Sequence, residues 1–277
     1  MNFDIVQEKN DLLWMIPSSA FSLSMTLQCG QCFRFFEENG VFLGVANGRL
    51  LKIEQTDRFI RFFDMTQEEF QAVWANYFDC ATDYDALHTL FSNDQTLCSA
   101  IEKTGGIRVL RQDGFETLIS FLISQNNNIP RITKSINLLC ERFGSRIAPD
   151  TFAFPDAKTL ASASLSDFSG LSLGYRDRYL LDAAQKVSSG EIDLSKLYTC
   201  PIEEARQTLR TICGVGPKVA ECVLLYGFAR LSCVPMDTWM KKVMARYYQA
   251  GLPEEILPYA GIAQQYLFHY ARCFDTF

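Results

Sequence analysis

The five residues 214–218, with the sequence GVGPK, constrain the fold more than any other part of this 277-residue chain. Gly214 and Gly216 permit a tight backbone turn that side chains would strain. Pro217 suits the first turn of a helix, where a missing N–H costs nothing. The stretches on either side have helical patterns. We therefore predict a helix, a short glycine hairpin and a second helix over about 203–228, with Lys218 at the start of the second helix.

A carboxylate follows this hairpin at Asp237, which is typical of the residue that caps the N-terminus of a helix. Behind Asp237, the apolar residues Met240, Val243, Met244 and Tyr247 recur at helical spacing. The sequence therefore predicts a third helix that begins with this carboxylate.

The hairpin, the lysine and the carboxylate together suggest a DNA-processing enzyme. The backbone N–H groups of Gly214, Val215 and Gly216 can bind a DNA phosphate. Lys218 can act as an amine nucleophile once it is neutral, a form that desolvation and the helix dipole favour. Asp237 can stabilise positive charge that develops on a deoxyribose ring. Taken singly, Lys218 would be read as a solvent-facing charge and Asp237 as a helix cap.

The first hundred residues have the pattern of a small antiparallel sheet. β-prone runs alternate with turn signals at 37–40 and 47–48. The predicted strands are 31–36, 41–45, 50–53 and 58–63, and 22–27 is a further β-prone run.

Helical patterns follow and fill almost all of the remaining chain. The predicted helices are 66–77, 84–91, 115–124, 131–143, 158–163, 179–187, 202–212 and 262–270. The fold class is therefore α+β, with an antiparallel sheet domain with flanking helices over 1–104 and a helical domain over 105–277.

Charge is distributed unevenly along the chain, which has a net charge of −6. Residues 1–103 carry 7 Lys and Arg against 15 Asp and Glu, whereas residues 104–277 carry 19 against 17. Clustered bases matter more for a phosphate backbone than the total charge does. The local basic groups are Arg131, Lys134, Arg142 and Arg146, then Arg176 and Arg178, then Lys241, Lys242 and Arg246. Each group alone is also typical of a solvated helix face.

The ten cysteines are scattered, which indicates small core residues rather than a disulfide framework. The single C-x-x-C, at Cys29 and Cys32, lacks suitably spaced histidine partners for zinc, and no four-cysteine cluster follows Asp237. No apolar run reaches the roughly 18 residues of a membrane helix, and residues 1–7 lack a signal-peptide layout. We expect a soluble, intracellular protein with no membrane partner.

Several motifs, in order from about residue 27 to 268, resemble those of one enzyme family. Residues 209–239 resemble the helix-hairpin-helix DNA glycosylase motif with its downstream aspartate. Four further segments are similar to motifs of the 8-oxoguanine DNA glycosylase/AP-lyase family: CGQCFR at 29–34, SQNNNIPRIT at 124–133, LGYRDRY at 173–179 and AQQYLF at 263–268.

This resemblance implies base-excision repair of double-stranded DNA that contains 8-oxoguanine, which is flipped into a pocket. The Gly30 carbonyl would accept the N7–H that guanine lacks, and Gln264 would bind the Watson–Crick edge. Phe268 and Cys222 would contact the two faces of the ring. Lys218 would attack C1′ and form an imine, and β-elimination would then cleave the strand.

The resemblance also implies which residues read the opposite strand. Asn126, Arg131 and Arg176 would contact the orphaned cytosine, and Tyr175 would wedge into the gap. Neither a metal nor a cofactor is required, although carbonyls around Ile212 and Val215 could hold a structural cation. We expect a monomer, located in the cytoplasm with the nucleoid if bacterial and in the nucleus if eukaryotic.

One departure from the family pattern concerns residues 237–239, where this chain has DTW and many eukaryotic relatives have Asp-x-His. Because Trp239 stands where those relatives have a phosphate-contacting histidine, the chain looks more like a bacterial member of the family.

Two alternative functions remain open from the sequence. One is a helix-hairpin-helix glycosylase for another oxidised or alkylated base. The other is a non-catalytic DNA-binding module, which would not need Lys218 and Asp237 together.

Overall fold

The computed structural model describes residues 4–17 and 19–274, and its N-terminal part is a six-stranded antiparallel sheet with the order β1-β2-β6-β5-β4-β3. The strands are β1 (Ile5–Glu8), β2 (Asp11–Trp14), β3 (Phe35–Glu38), β4 (Val41–Ala46), β5 (Arg49–Gln55) and β6 (Ile60–Phe62). Positive φ angles at Asn39 and Gly40, and again at Asn47 and Gly48, form the two turns that the sequence predicted.

The rest of the chain is helical apart from a small hairpin, which confirms the α+β fold class. The helices are α1 (Leu23–Gln28), α2 (Gln67–Glu69), α3 (Ala75–Tyr77), α4 (Tyr84–Phe91), α5 (Gln95–Thr104), α6 (Gly114–Ser124), α7 (Ile129–Phe143), α8 (Ala157–Ala161), α9 (Asp177–Ser188), α10 (Ile202–Arg210), α11 (Pro217–Phe228), α12 (Thr238–Tyr247) and α13 (Ala260–Cys273). A π-helical stretch, Phe70–Trp74, connects α2 and α3, and β7 (Arg146–Ala148) pairs with β8 (Thr151–Phe152).

Two local expectations need correction. The β-prone run 22–27 forms α1, because the Ser22 hydroxyl caps the Met25 N–H and the helix buries Leu23 and Leu27 on one face. Of the predicted strand 31–36, only its last two residues are in β3.

The molecule has two hydrophobic clusters, one under the sheet and one among the helices. The first is rich in aromatic rings, including Trp14, Phe62 and Phe70. The second is centred on α6 and α11, and it also includes residues of α4 and α5. The domain boundary at residue 104 stays a prediction.

Helices α6 and α11 approach each other very closely because glycines lie at their contact. A Cβ atom on Gly114 would lie 2.4 Å from the Phe228 ring, and one on Gly227 would lie 3.1 Å from the Gly114 Cα. This packing places the first turn of α11 beside the aromatic face of α6. None of the helices in residues 4–17 and 19–274 is long and apolar enough to cross a membrane.

Candidate active site

The glycine hairpin between α10 and α11 is held by α9. Gly214 has a φ of +83°, and a Cβ there would lie 2.4 Å from the Tyr179 ring, so the position requires glycine. The Asp182 carboxylate accepts the Cys213 N–H at 2.7 Å. The predicted helix-hairpin-helix arrangement is therefore observed, while phosphate binding by Gly214, Val215 and Gly216 stays a prediction.

Lys218 lies in the first turn of α11 and is half-buried. Its Nζ is 5.1 Å from the centroid of the Phe121 ring on α6. Phe121 stacks against Tyr226 with a centroid separation of 5.4 Å, and Phe33 meets it edge-on. The amine is thus directed along an aromatic surface instead of extending into solvent.

Asp237 caps α12, as the sequence predicted, by accepting the Met240 N–H on its Oδ1 at 2.8 Å. The loop before it is fixed by Glu221 of α11, whose Oε2 accepts the Val234 N–H at 2.7 Å. Arg206 donates to the other oxygen of Glu221 at 2.6 Å. Because Lys218 and Glu221 both lie on α11, these contacts fix the Asp237 carboxylate relative to the Lys218 amine.

A pocket between the two parts of the molecule brings the six predicted catalytic and lesion-binding residues together. Its lining is Cys29, Gly30, Phe121, Lys218, Cys222, Tyr226, Pro235, Asp237, Gln264, Gln265 and Phe268. Gly30 comes from the segment after α1, whereas the other five predicted residues come from α11, α12 and α13. The roles assigned to the six remain predictions.

The Gln264 side chain is the clearest sign that this pocket binds a polar ligand. The residue is only 3% exposed, and its Oε1 has no hydrogen-bond partner among the residues that the structure describes. A buried acceptor without a donor is costly unless a ligand supplies one.

Five residues of the pocket were not predicted from the sequence as site residues: Cys29, Phe121, Tyr226, Pro235 and Gln265. Tyr226 donates to Gln265 Oε1 at 2.5 Å, and Gln265 also hydrogen bonds Cys29. The i, i+4 spacing of Lys218, Cys222 and Tyr226 on α11 was a signal that could have revealed Tyr226.

Burial keeps the thiol and phenol groups that line the pocket protonated. It raises the pKa of the Cys29 thiol to about 11 and the pKa of Tyr226 well above its usual value. Burial also raises the pKa of Cys222, although the Lys218 ammonium beside it acts in the opposite direction. The thiols and the phenol therefore add no negative charge near the amine at neutral pH.

Asn126, one of the predicted opposite-base residues, lines a second groove, which shares Lys218 and Asp237 with the pocket. This groove runs along 124–127, the hairpin and the start of α12, and includes Lys218, Asp237 and Trp239. Asn126 has a φ of 47° and donates to the Tyr175 hydroxyl at 3.3 Å.

The two predicted arginines differ in their surroundings. Arg176 is 8% exposed and donates to the carbonyls of Gln125, Leu173 and Asn126. Arg131 is exposed at the start of α7. Their contacts with cytosine stay predictions.

Within the described part of the chain, no group of three or more His, Cys, Asp or Glu side chains could hold a metal ion. Cys29 and Cys32 are separate buried thiols. In the hairpin, the Ile212 carbonyl accepts the Val215 N–H at 3.0 Å, and a cation there stays a prediction.

Two family models match consecutive parts of the chain. The model for the N-terminal domain of 8-oxoguanine DNA glycosylase matches residues 14–118. The model for the HhH-GPD superfamily of base excision DNA repair proteins matches residues 119–256. Together they cover strands β3 to β6, the hairpin and the helices up to α12.

Solved structures resemble this chain over nearly its whole length. MBOgg1, in complex with a low-affinity DNA ligand, is 37% identical with a TM-score of 0.91, covering 98% of this chain and 99% of that one. The 8-oxoguanine glycosylase/lyase of Clostridium acetobutylicum, bound to double-stranded DNA with cytosine opposite 8-oxoG, is 34% identical with a TM-score of 0.89, covering 98% and 99%.

An N-glycosylase/DNA lyase of Saccharomyces cerevisiae is 39% identical over 159 residues, or 52% of this chain and 42% of the relative. The match thus spans less than half the length of the yeast protein.

Proposed function

This chain belongs to the 8-oxoguanine DNA glycosylase family, and from that premise we propose that it is a bifunctional DNA glycosylase and AP lyase of base-excision repair. Its substrate is double-stranded DNA with 8-oxoguanine opposite cytosine. The observation that carries the proposal is the pocket in which Lys218 and Asp237 meet Gly30 and Gln264, two groups suited to an oxidised purine.

Base recognition follows from the polar groups of the pocket. The N7–H of 8-oxoguanine can donate to the Gly30 carbonyl, whereas the N7 lone pair of guanine repels it. The buried Oε1 of Gln264 can accept from the donors on the Watson–Crick edge of the base. Phe268 and Cys222 both line the pocket and can contact the two ring faces.

The chemistry begins with the neutral amine of Lys218. The amine forms a bond to C1′ as the bond between C1′ and the base breaks, and the base leaves with the electron pair and takes up a proton. The sugar ring then opens to an imine. Loss of a C2′ proton expels the 3′-phosphate and cleaves the strand.

Asp237 favours the cationic transition state of the first step. Its Oδ1 is held by the Met240 N–H, so the geometry of the carboxylate is set before substrate binds. This leaves the second carboxylate oxygen to face the developing charge.

Opposite the lesion, Asn126, Arg131 and Arg176 bind the orphaned cytosine and Tyr175 fills the gap. Arginine donors suit the acceptors of cytosine. Cleavage opposite all four bases with unchanged relative rates in Arg131→Ala would remove Arg131 from this role.

The enzyme acts as a monomer without a required cofactor, and the carbonyls of Ile212 and Val215 would hold a structural cation that helps fix the hairpin. It works in the cytoplasm with the nucleoid if the source is bacterial, and in the nucleus if it is eukaryotic.

The decisive experiment is borohydride trapping on a duplex with one 8-oxoguanine opposite cytosine. We expect a covalent protein–DNA adduct that disappears in Lys218→Gln. The matched control is Lys158→Gln, which removes an exposed lysine of α8 and should trap as well as wild type.

The contrary result is binding of the lesion duplex without any adduct. It would leave a glycosylase that uses only the carboxylate, or a binding module. A wild-type adduct that forms equally with duplexes carrying alkylated bases would favour a helix-hairpin-helix enzyme for another lesion.

A further inference from the structure

A fully buried amide lies beside the pocket, at Gln31. The side chain is 1% exposed, and its Nε2 donates to the Thr26 carbonyl at 2.9 Å and to the Arg108 carbonyl at 2.7 Å. Its Oε1 accepts the Leu110 N–H at 2.9 Å. One carboxamide thereby joins the end of α1 to the segment 107–113 that precedes α6.

The backbone around this amide is tied to the same segment. The Gln31 carbonyl accepts Gln112 Nε2 at 2.8 Å, and the Thr26 hydroxyl accepts the Arg108 N–H at 3.1 Å. Gly30, the next residue back along the chain, has a φ of +93° and lines the pocket. Its position therefore depends on bonds that Gln31 makes away from the pocket.

We propose that Gln31 is a positioning residue that fixes the Gly30 carbonyl and so sets the discrimination between 8-oxoguanine and guanine. The inference rests on the proposed function. The two bases differ at N7 by a donor in place of an acceptor, so the carbonyl must be held still to attract one and repel the other. A loop free to move by about 1 Å would relax away from guanine and lose much of both effects.

Gln55 provides a matched control for a merely structural role. Its Oε1 accepts the Leu23 N–H at 2.7 Å and its Nε2 donates to the Phe21 carbonyl, so it also ties α1 to a neighbouring segment. It holds the N-terminal end of α1, whereas Gly30 follows the C-terminal end. Replacing it with methionine removes similar bonds without touching the pocket loop.

The experiment compares Gln31→Met with Gln55→Met. In a Lys218→Gln background, the affinity ratio for duplexes with 8-oxoguanine or guanine opposite cytosine is measured. We expect Gln31→Met to lower this ratio at least about tenfold and Gln55→Met to leave it within about twofold. In chains with Lys218, Gln31→Met should slow base excision but cleave a preformed abasic site within about twofold of wild type, because no base is read there.

An unchanged ratio in Gln31→Met would overturn the proposal, as would an equal loss of excision and abasic-site cleavage. If Gln31→Met does not fold, Gln31→Glu is measured against the same expectations. It keeps the acceptor for Leu110 but sets an oxygen against the carbonyls of Thr26 and Arg108. A failure of the proposed function differs from both, because wild type itself would then fail to trap on, or to excise from, the 8-oxoguanine duplex.

Discussion

The pocket around Lys218 and the surface that carries the predicted opposite-base residues are built in contrasting ways. We call the second region the opposite-base surface; its residues are Asn126, Arg131, Tyr175 and Arg176. Tyr226 in the pocket and Gln31 beside it are buried polar groups that have partners within the protein. On the opposite-base surface, Tyr175 is 46% exposed and Arg131 is also exposed. Arg176 is held, but by backbone carbonyls, with its Nε 3.0 Å from the Gln125 oxygen.

This contrast indicates whether each region loses its conformational freedom on folding or on DNA binding. The pocket is ordered when the chain folds, so the base meets a site that is already in place. We expect the exposed side chains to become ordered when DNA binds, and Arg176 would have to exchange its carbonyl partners to reach cytosine. Substitutions in the pocket should therefore change the chemistry or fold, and those on the surface should change opposite-base preference.

The largest effect is expected for Asp237→Asn. Asparagine is also a good N-cap, so α12 should keep its start while the site loses its negative charge. We expect the single-turnover excision rate to fall about 10²–10³-fold with little change in Tm. Asp237→Ala is the comparison variant, and it should also lose about 1 kcal/mol of stability. An Asp237→Asn enzyme with the wild-type rate would separate the carboxylate from catalysis.

The pH dependence of the free energy of unfolding tests the burial of Glu116 on α6, the helix that carries Phe121 of the pocket. Burial raises the pKa of Glu116 on α6 to about 7, against the opposing attraction of Arg34 at 3.8 Å and with a further rise from Asp113. Tyr77 and Cys32 also lie close to this carboxyl. Because the folded pKa exceeds the unfolded one, the contribution of Glu116 is greatest below about pH 4.5 and is lost as pH rises through about 7.

We therefore expect wild type to lose about 2 kcal/mol relative to Glu116→Gln between pH 5 and pH 8, as measured by urea unfolding. Parallel pH profiles for the two proteins would contradict the buried state of Glu116.

A smaller effect is expected for Arg176→Ala. The variant leaves the carbonyls of Gln125 and Leu173 without their donor, so we expect a loss of about 1–2 kcal/mol in the free energy of unfolding without DNA. Tyr175→Ala, at the exposed neighbouring position, should lose less. Equal losses would show that the opposite-base surface is more ordered than the contrast implies.

The smallest change in stability is expected for Arg131→Ala. Its side chain is exposed, so unfolding should shift by no more than about 0.5 kcal/mol. The preference of the Arg131→Ala enzyme for cytosine opposite the lesion should nevertheless fall about tenfold. Cleavage assays with each of the four bases opposite the lesion measure the preference. A large loss in the free energy of unfolding would instead show that the Arg131 side chain contributes to stability as the buried groups do.

Sequence reasoning predicted the parts of the molecule that local patterns determine. The turn at 47–48, the helix Tyr84–Phe91 and the cap at Asp237 each follow from a few adjacent residues. Strands β1 and β2 were missed because IVQE and DLLW are four-residue runs without clear alternation.

Six of the pocket residues were predicted through family motifs, whereas the groups that hold them were not. Gln31 bonds to Arg108, 77 residues away, and such a contact leaves no local signal. Arg176 was predicted as a base reader, and its bonds to the carbonyl of Gln125 became visible only once the two loops were placed together.

The glycine contact between α6 and α11 has a consequence for protein engineering. Replacing helical glycines with alanine is a common route to heat resistance, because alanine restricts the unfolded chain. At Gly114 the added methyl would meet the Phe228 ring, and at Gly227 it would meet the facing helix. Either change would push apart the two helices that carry Phe121 and Lys218, so a thermostabilised variant of this enzyme must leave both glycines in place.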